Sequence, residues 1–477
     1  MSMSTPSIET SESKKDGRKD EALVESGLER GLDGENETGD GVFGNEGDVN
    51  YNNVGWVSTS VLLAKAQVGL GVLSIPSVFQ SLGIVPGVLV LLGLGGFMTY
   101  SQVVLGRMKM KYPQIYSIAD AFKLMFGPVA GEIAGACMWL FMTMVSGSAF
   151  IGLSTAFNAI SEHGACTAVF VAVSAIIGFL FSSIRTLGKV KWIGWAGLIS
   201  LVVAILLVMI AVAAGGRPAD APQAPLPENL EIVIWGKPTV SEAFNAVSNL
   251  VFSFAGAPAF LPIQAEMKDP RKFTRAVLCC QAFVTSFYLV VGIVVYHSAG
   301  QYVASPALGT AGPLIKKIAY GISIPGLLAA AVIYTHLPAK YIFVRALRNS
   351  RHLTTSTATH WIVWLSCTFG CTVFAYIIAS AIPVFGGLVG LVGALLGTAL
   401  CMQAESIMWA YMNKAGFKDR LSRTTKWCLL AALNGFIFCA GCVILVGGTY
   451  GSIISIKDGY EANGGTAFSC ADNSNSS

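Results

Sequence analysis

From about residue 57 to residue 450 the chain alternates between long apolar runs and short polar segments. A helix that crosses a bilayer core about 30 Å thick needs roughly 20 predominantly apolar residues. Eleven runs are long enough, so the pattern predicts an all-α polytopic membrane protein with eleven transmembrane helices. The predicted spans lie at about 57–82, 84–106, 129–157, 165–183, 192–214, 240–264, 273–297, 321–347, 359–380, 382–410 and 427–449.

The composition excludes a soluble protein. Charged residues make up 12% of the chain, against roughly 25% in ordinary globular proteins. So few charges cannot cover the surface of the three soluble domains that 477 residues would otherwise suggest.

The two ends of the chain differ from its centre. Residues 1–55 hold thirteen acidic and five basic residues, and they cannot bury enough apolar surface to fold. We therefore predict a disordered, acidic, cytoplasmic tail at 1–55, followed by a membrane domain at 56–450. Residues 451–477 are expected to form a flexible external or luminal tail.

Basic residues indicate how the chain is oriented. The loops that follow the second, fourth, sixth, eighth and tenth spans hold 20 lysine and arginine residues, and the opposite face holds five. Cytoplasmic loops collect these residues, so the N-terminus is predicted to be cytoplasmic and the C-terminus external or luminal. Cys166 and Cys470 then fall on the external side, and the sequence leaves open whether they pair.

Two predicted spans contain residues that interrupt a helix at mid-membrane depth. Proline removes an intrahelical hydrogen bond, and glycine is a poor helix former. Free backbone groups are costly in hydrocarbon, so such breaks persist where they line a cavity or meet a ligand. The interrupting residues are Gly69, Gly71 and Pro76 in the first span and Gly256, Pro258 and Pro262 in the sixth.

The two breaks occupy matching positions if spans one to five and six to ten form two units, at about 57–214 and 240–410. Five is odd, so the second unit is inverted relative to the first. Interrupted helices at corresponding places of inverted repeats indicate a central binding site. We therefore predict a 5+5 inverted repeat with discontinuous helices 1 and 6, plus an eleventh helix. Close helix packing is the alternative reason for these glycines.

The residues around both breaks resemble those of a known family. The first stretch is AKAQVGLGVLSIP at 64–76, and the second is FSFAGAP at 252–258 followed by PIQAEMKDP at 262–270. They are similar to the amino acid/auxin permease family of the amino acid–polyamine–organocation superfamily. The chain most resembles the fungal neutral amino acid permeases of the methyltryptophan-resistance type, over about 54–450. The resemblance implies amino acid uptake driven by protons or sodium.

By position, the resemblance also implies which residues hold the substrate. The unwound parts of both helices would bind the amino and carboxylate groups, and two phenylalanine rings suggest an apolar side-chain pocket unless they only pack. The implied substrate-binding residues are Val68, Gly69, Leu70, Gly71, Phe252, Ser253, Phe254, Ala255 and Gly256.

Polar groups inside the spans are candidates for coupling and gating. Lys65 lies about eight residues, hence about 12 Å, inside the first span. In sodium-driven relatives, backbone carbonyls just before the unwound part of helix 1 and hydroxyls of helix 8 cage the ion. The resemblance therefore implies coupling roles for Lys65, Thr335 and His336. Glu266 and Glu405 are possible gate residues. Snorkelling of Lys65 and packing of His336 are the alternatives.

Other function classes find less support in the sequence. The histidine and acidic residues are too scattered for a membrane enzyme, and no repeated pore motif or charge ring indicates a channel. No cofactor, metal or nucleic-acid partner is expected. We predict a secondary active transporter that imports neutral aliphatic or aromatic amino acids by proton symport, with sodium less favoured. A vacuolar transporter and a non-transporting amino acid sensor are the alternatives, and the plasma membrane is the favoured location.

Overall fold

The computed structural model describes residues 54–184, 187–215, 218, 230–347, 350, 352, 357–418, 424–463 and 467–474. The tail predicted at 1–55 lies outside the described residues except for its last two positions. Within the described residues the chain is helical, apart from loops and one isolated backbone bridge. The helices are α1 Trp56–Gln67, α2 Ile75–Leu82, α3 Ile84–Lys111, α4 Ile118–Phe126, α5 Pro128–Ser161, α6 Thr167–Ser182, α7 Leu187–Ala213, α8 Val240–Phe254, α9 Ala257–Ala265, α10 Phe273–Ala299, α11 Pro313–Ala346, α12 Ala358–Ala381, α13 Phe385–Val392, α14 Ala404–Met412, α15 Lys414–Lys418 and α16 Thr425–Asn463.

The lengths of these helices support a polytopic membrane protein. Among the described residues, nine helical segments are long and apolar enough to cross a membrane, and a bent pair, α1 with α2, makes a tenth. At the predicted fourth span, α6 is an apolar helix of 16 residues, shorter than a full crossing needs. The count of eleven and the inverted repeat therefore stay predictions.

Both helices that the sequence predicts to be interrupted are broken. The first broken span consists of α1, a 3₁₀ turn at Leu70–Ser74, and α2, and its halves are bent by 48°. The second broken span consists of α8 and α9, separated by Ala255 and Gly256. Pro258 lies in the first turn of α9, where its missing N–H removes no intrahelical bond.

Neighbouring helices enclose the two broken spans. One flank is formed by α10, which packs against α1, α2 and α3. A second group is built on α11, which packs against α5 and α7. The first half of the second broken span, α8, packs against α13 and α16. The breaks therefore lie among helices from both halves of the chain.

The predicted tenth span contains an irregularity that the sequence analysis missed. Two π-helical segments, Gly393–Gly397 and Ala399–Gln403, join α13 to α14. A Cβ atom added at Gly393 would lie 2.1 Å from the Ser248 carbonyl oxygen, so this segment packs directly on the backbone of α8. π-Helical turns are rare in proteins, but those that do occur are often found at functional sites.

The described part of the C-terminal segment continues the last helix and is joined to the rest of the protein by a disulfide. The eleventh predicted span ends at about 449, whereas α16 continues to Asn463. A disulfide then joins Cys470 to Cys166, answering the question that the sequence left open. The Asn473 amide donates to Ser154 Oγ at 3.1 Å, and its side-chain oxygen accepts from Asn158 at 2.7 Å. These contacts hold 467–474 against the ends of α5 and α6.

Candidate functional site

The two broken spans meet directly at their breaks. A Cβ atom added at Gly71 would lie 2.5 Å from Ser253 Cα and 2.7 Å from its Oγ. One added at Gly256 would lie 2.8 Å from Gln67 Cγ. Glycine therefore allows a backbone approach that any other residue would prevent. The structure brings together the stretches 68–71 and 252–256, which the sequence resemblance implies to be substrate-binding.

A single tyrosine bridges the carbonyl groups that the breaks release. Tyr288 of α10 is fully buried, and its hydroxyl lies 3.0 Å from the Gln67 carbonyl oxygen and 3.0 Å from the Ser253 carbonyl oxygen. A phenol carries one hydrogen, so Tyr288 donates to one carbonyl at a time. This hydroxyl ties the first broken span to the second.

Three buried glutamine side chains form a hydrogen-bonded cluster at the Phe254 carbonyl group, beside the break in the second span. Gln67 and Gln102 donate their side-chain amides to the Phe254 carbonyl oxygen at 3.0 and 3.4 Å. Gln281 of α10 donates to the side-chain oxygens of Gln67 and Gln102, at 3.0 and 2.5 Å. Backbone groups lost from the helix at its break are thus paired within the protein.

The candidate coupling residues lie on α1 and α11 but have different surroundings. Lys65 is half-buried near the end of α1. The Thr335 hydroxyl lies 2.6 Å from that of Ser146 on α5, and Tyr334, its neighbour, donates to the Ala66 carbonyl at 3.2 Å. Tyr334 is therefore the α11 hydroxyl that contacts the first broken span beside Lys65.

His336 lies farther along α11, away from the breaks. Its Nδ1 is 3.1 Å from the Ser182 carbonyl oxygen at the end of α6, and its ring lies edge-on to Trp364, 4.9 Å between centroids. Trp364 in turn donates to the Ser183 carbonyl at 2.9 Å. The other ring nitrogen, Nε2, is buried and has no hydrogen-bond partner among the described residues, so both the coupling role and the packing role of His336 stay predictions.

The apolar candidates point in different directions. The Phe254 ring packs edge-on against Tyr288, 5.3 Å between centroids, on the α10 side. Phe252 faces the π-helical segment, with its Cβ 3.0 Å from a Cβ placed on Gly393. A Cβ placed on Gly69 would have the Gln67 carbonyl oxygen, at 4.0 Å, as its nearest neighbour, so this position is less crowded than Gly71 or Gly256.

The possible gate residue Glu266 directly follows α9, at the C-terminal end of the second broken span. Val54 donates its backbone N–H to the Glu266 carbonyl at 3.2 Å, and Lys268 donates to the Val54 carbonyl at 3.0 Å. The Glu266 carboxylate also attracts Lys340 of α11 electrostatically. The chain entering α1 is thereby held to the chain leaving α9.

A cavity of about 230 Å³ lies at the opposite ends of the broken spans, between α2 and α8. It is smaller than the roughly 300–1,000 Å³ of drug-sized sites, which suits a small solute. Asn249 reaches it, and its side-chain oxygen has no hydrogen-bond partner among the described residues. The cavity is lined by Ser77, Val78, Ser81, Asn245, Ala246, Asn249, Ser305, Val384, Gly386, Gly387 and Ser455.

The second gate candidate, Glu405, is 1% exposed in α14. Neither of its carboxyl oxygens has a hydrogen-bond partner among the described residues. Elsewhere in the part of the chain that the structure describes, no three His, Cys, Asp or Glu side chains are placed to hold a metal ion.

Sequence reasoning missed the donors that complete the site. The one feature of the sequence that points to them is that each is a polar side chain within an apolar span, where it is costly unless it is paired. Glutamine, asparagine and tyrosine side chains are uncharged at neutral pH, so a criterion based on charged residues does not identify them. The missed residues are Gln67, Gln102, Asn249, Gln281, Tyr288 and Tyr334.

Comparisons with known proteins agree with this architecture. A sequence model described as transmembrane amino acid transporter protein matches residues 52–454. A protein of Gibberella moniliformis described as a transmembrane transporter is 34% identical over 475 residues, covering 99% of each chain. The N amino acid transport system protein of Neurospora crassa is 33% identical over 420 residues, covering 87% of this chain and 88% of its own. The crystal structure of MhsT in complex with L-phenylalanine has a TM-score of 0.51 at 14% identity, covering 82% of this chain and 98% of its own, which shows a shared fold.

Proposed function

Because this chain belongs to the transmembrane amino acid transporter family, we propose that it is a secondary active transporter that imports neutral amino acids by proton symport. The family match confirms the resemblance to amino acid permeases that the two motifs predicted. The observation that carries the proposal is the meeting of two broken spans at Gly71 and Ser253. Breaks at this depth persist where they line a cavity, meet a ligand or have their backbone groups paired within the protein, and here the two breaks face each other.

The breaks offer both charges of an amino acid a partner. The N-terminus of α9, at Ala257, carries a partial positive charge that suits a carboxylate. The released carbonyls at the end of α1 suit an ammonium group. The surroundings at 68–71 and 252–256 are apolar or small, which supports a substrate with an uncharged side chain. L-Phenylalanine, bound in the MhsT structure of the same fold, is such an amino acid.

Alternating access has structural support at both ends of the broken spans. A cavity lies beside α2 and α8, and a backbone bridge closes the side of Val54 and Met267. In the proposed orientation the cavity faces outward and the bridge lies in the cytoplasm. Glu266, whose carbonyl belongs to the bridge, is the proposed inner gate residue. Lys65, Thr335 and His336 remain proposed coupling residues.

Uptake into liposomes that contain the purified protein tests the function. A proton gradient of one pH unit is worth about 1.4 kcal/mol, so one proton per substrate supports about tenfold accumulation. We expect labelled L-phenylalanine or L-leucine to accumulate when the outside is more acidic, equally with and without sodium. Sodium-dependent uptake would contradict proton symport, and saturable binding without uptake would indicate a sensor.

The Cys166–Cys470 disulfide supports the proposed orientation, since disulfides persist on the oxidising side of a membrane. In intact cells, Cys166→Ser should free Cys470 and add one thiol that a membrane-impermeant maleimide labels. The wild type and a Cys428→Ser variant, which removes an exposed free cysteine, serve as controls. A gain in labelling seen only after permeabilisation would reverse the orientation.

A further inference from the structure

The Glu405 carboxyl group is the most deeply buried acidic group of the described chain. It is 1% exposed, and both of its oxygens lack a hydrogen-bond partner among the described residues. An ionised carboxylate in such surroundings is very costly, whereas the protonated acid is tolerated. The described conformation therefore suits Glu405 with a proton bound.

The segment before Glu405 connects it to the second broken span. Cys401 lies four residues earlier, in the second π-helical segment, and this segment packs against α9. Just before Cys401, the π-helical segment packs on α8, since a Cβ at Gly397 would lie 3.3 Å from the Val251 side chain. The segment that precedes Glu405 therefore contacts both halves of the second broken span.

The π-helical geometry allows the helix before Glu405 to change its register. A π turn carries one extra residue per turn, and shifting that bulge along a helix changes which residues face the core. The two segments span Gly393–Gly397 and Ala399–Gln403, so they end two residues before Glu405. A small register change would rotate the Glu405 side chain out of its apolar surroundings.

Several titratable side chains near α14 have partners of their own. In α3, Lys109 donates to the Pro113 carbonyl, Lys111 donates to the Met412 carbonyl at the end of α14, and Tyr100 accepts from Asn434. In α4, Asp120 caps its own helix. Cys401 lies four residues before Glu405 in the same span. The remaining titratable side chains on the elements packed against α14 are Arg107, Lys123, Lys426, Cys428, Cys439, Cys442, Tyr450, Lys457, Asp458, Tyr460 and Glu461.

We propose that Glu405 is the proton-carrying carboxyl group of the transport cycle. It takes a proton from the outer solution, forming its O–H bond, and is buried as the neutral acid. When rearrangement of the second broken span moves it toward the cytoplasmic end of α14, the O–H bond breaks and the proton passes to water. The inference rests on the proposed function, proton-coupled uptake.

The test compares Glu405→Gln with the wild type in liposomes, with L-phenylalanine as the probe. Glutamine keeps the shape of the protonated acid but cannot release a proton. We expect Glu405→Gln to retain exchange of labelled for unlabelled L-phenylalanine, while proton flux and uphill accumulation fall to the level of protein-free liposomes. Its exchange rate should not change with pH. Glu461→Gln, at an exposed position of α16, should behave as the wild type.

Glu405→Asp separates a coupling role from a packing role. Aspartate keeps the titrating group on a shorter stem, so coupling that survives in Asp but not in Gln supports the proposal. Equal loss of exchange in both variants would overturn it, as would wild-type proton flux per substrate in Glu405→Gln. A wild type that moves substrate without protons would instead refute the proposed function.

Discussion

Tyr288→Phe is expected to reduce amino acid uptake by roughly ten- to a hundredfold while the protein still inserts and folds. The Tyr288 hydroxyl is the donor that bridges the Gln67 and Ser253 carbonyls. Leaving a buried acceptor without its donor costs about 1–3 kcal/mol, and about 1.4 kcal/mol is a factor of ten. The cost falls on the conformation in which the breaks meet, so the initial uptake rate is the quantity to measure.

A second tyrosine on the same helix provides a matched control. Tyr296 is also buried in α10, but its hydroxyl accepts from the Val233 N–H, in the loop before α8. Tyr296→Phe should therefore keep most uptake, although it removes the same atom from the same helix. Equal uptake by Tyr288→Phe and the wild type would show that the bridge between the broken spans is not needed for transport.

Gly71→Ala should abolish uptake and lower the midpoint of thermal unfolding. The new methyl group would lie 2.5 Å from Ser253 Cα, and a backbone atom cannot turn away as a flexible side chain can. Overpacking of this kind costs about 1–3 kcal/mol and forces the two breaks apart. Uptake into liposomes and thermal unfolding in detergent measure the two effects.

Two other glycines distinguish crowding from a general effect of alanine. Gly93→Ala in α3 meets no atom within 4 Å and should leave uptake and stability unchanged. Gly69→Ala is also not crowded, so we expect wild-type stability, but a higher substrate concentration for half-maximal uptake because Gly69 belongs to the proposed substrate-binding stretch. Wild-type uptake by Gly71→Ala would mean that the close approach at Ser253 has no role in transport.

The candidate site could be predicted from the sequence only in part. Glycine and proline mark the breaks because their effect on a helix is local. The assignment of residues 68–71 and 252–256 to the substrate is implied by the family resemblance and stays a prediction. His336 shows the limit of the same reasoning, because a lone histidine on an apolar helix says nothing about its partners. Only the packing of α6 and α12 places it against Ser182 and Trp364.

The sequence by itself determined that the chain is an all-helical membrane protein and where both breaks lie, because apolar length and backbone chemistry are read within one segment. The residues around the breaks indicated the family. Tertiary structure alone decided which side chains form hydrogen bonds with the carbonyl groups freed at the two helix breaks. Tyr288 lies 221 residues from Gln67 and 35 from Ser253, and no periodicity relates such positions. The π-helical segment and the pairing of Cys166 with Cys470, among eleven cysteines, were decided in the same way. Each depends on which surfaces meet after folding, and that is a property of the packed helices rather than of any one of them.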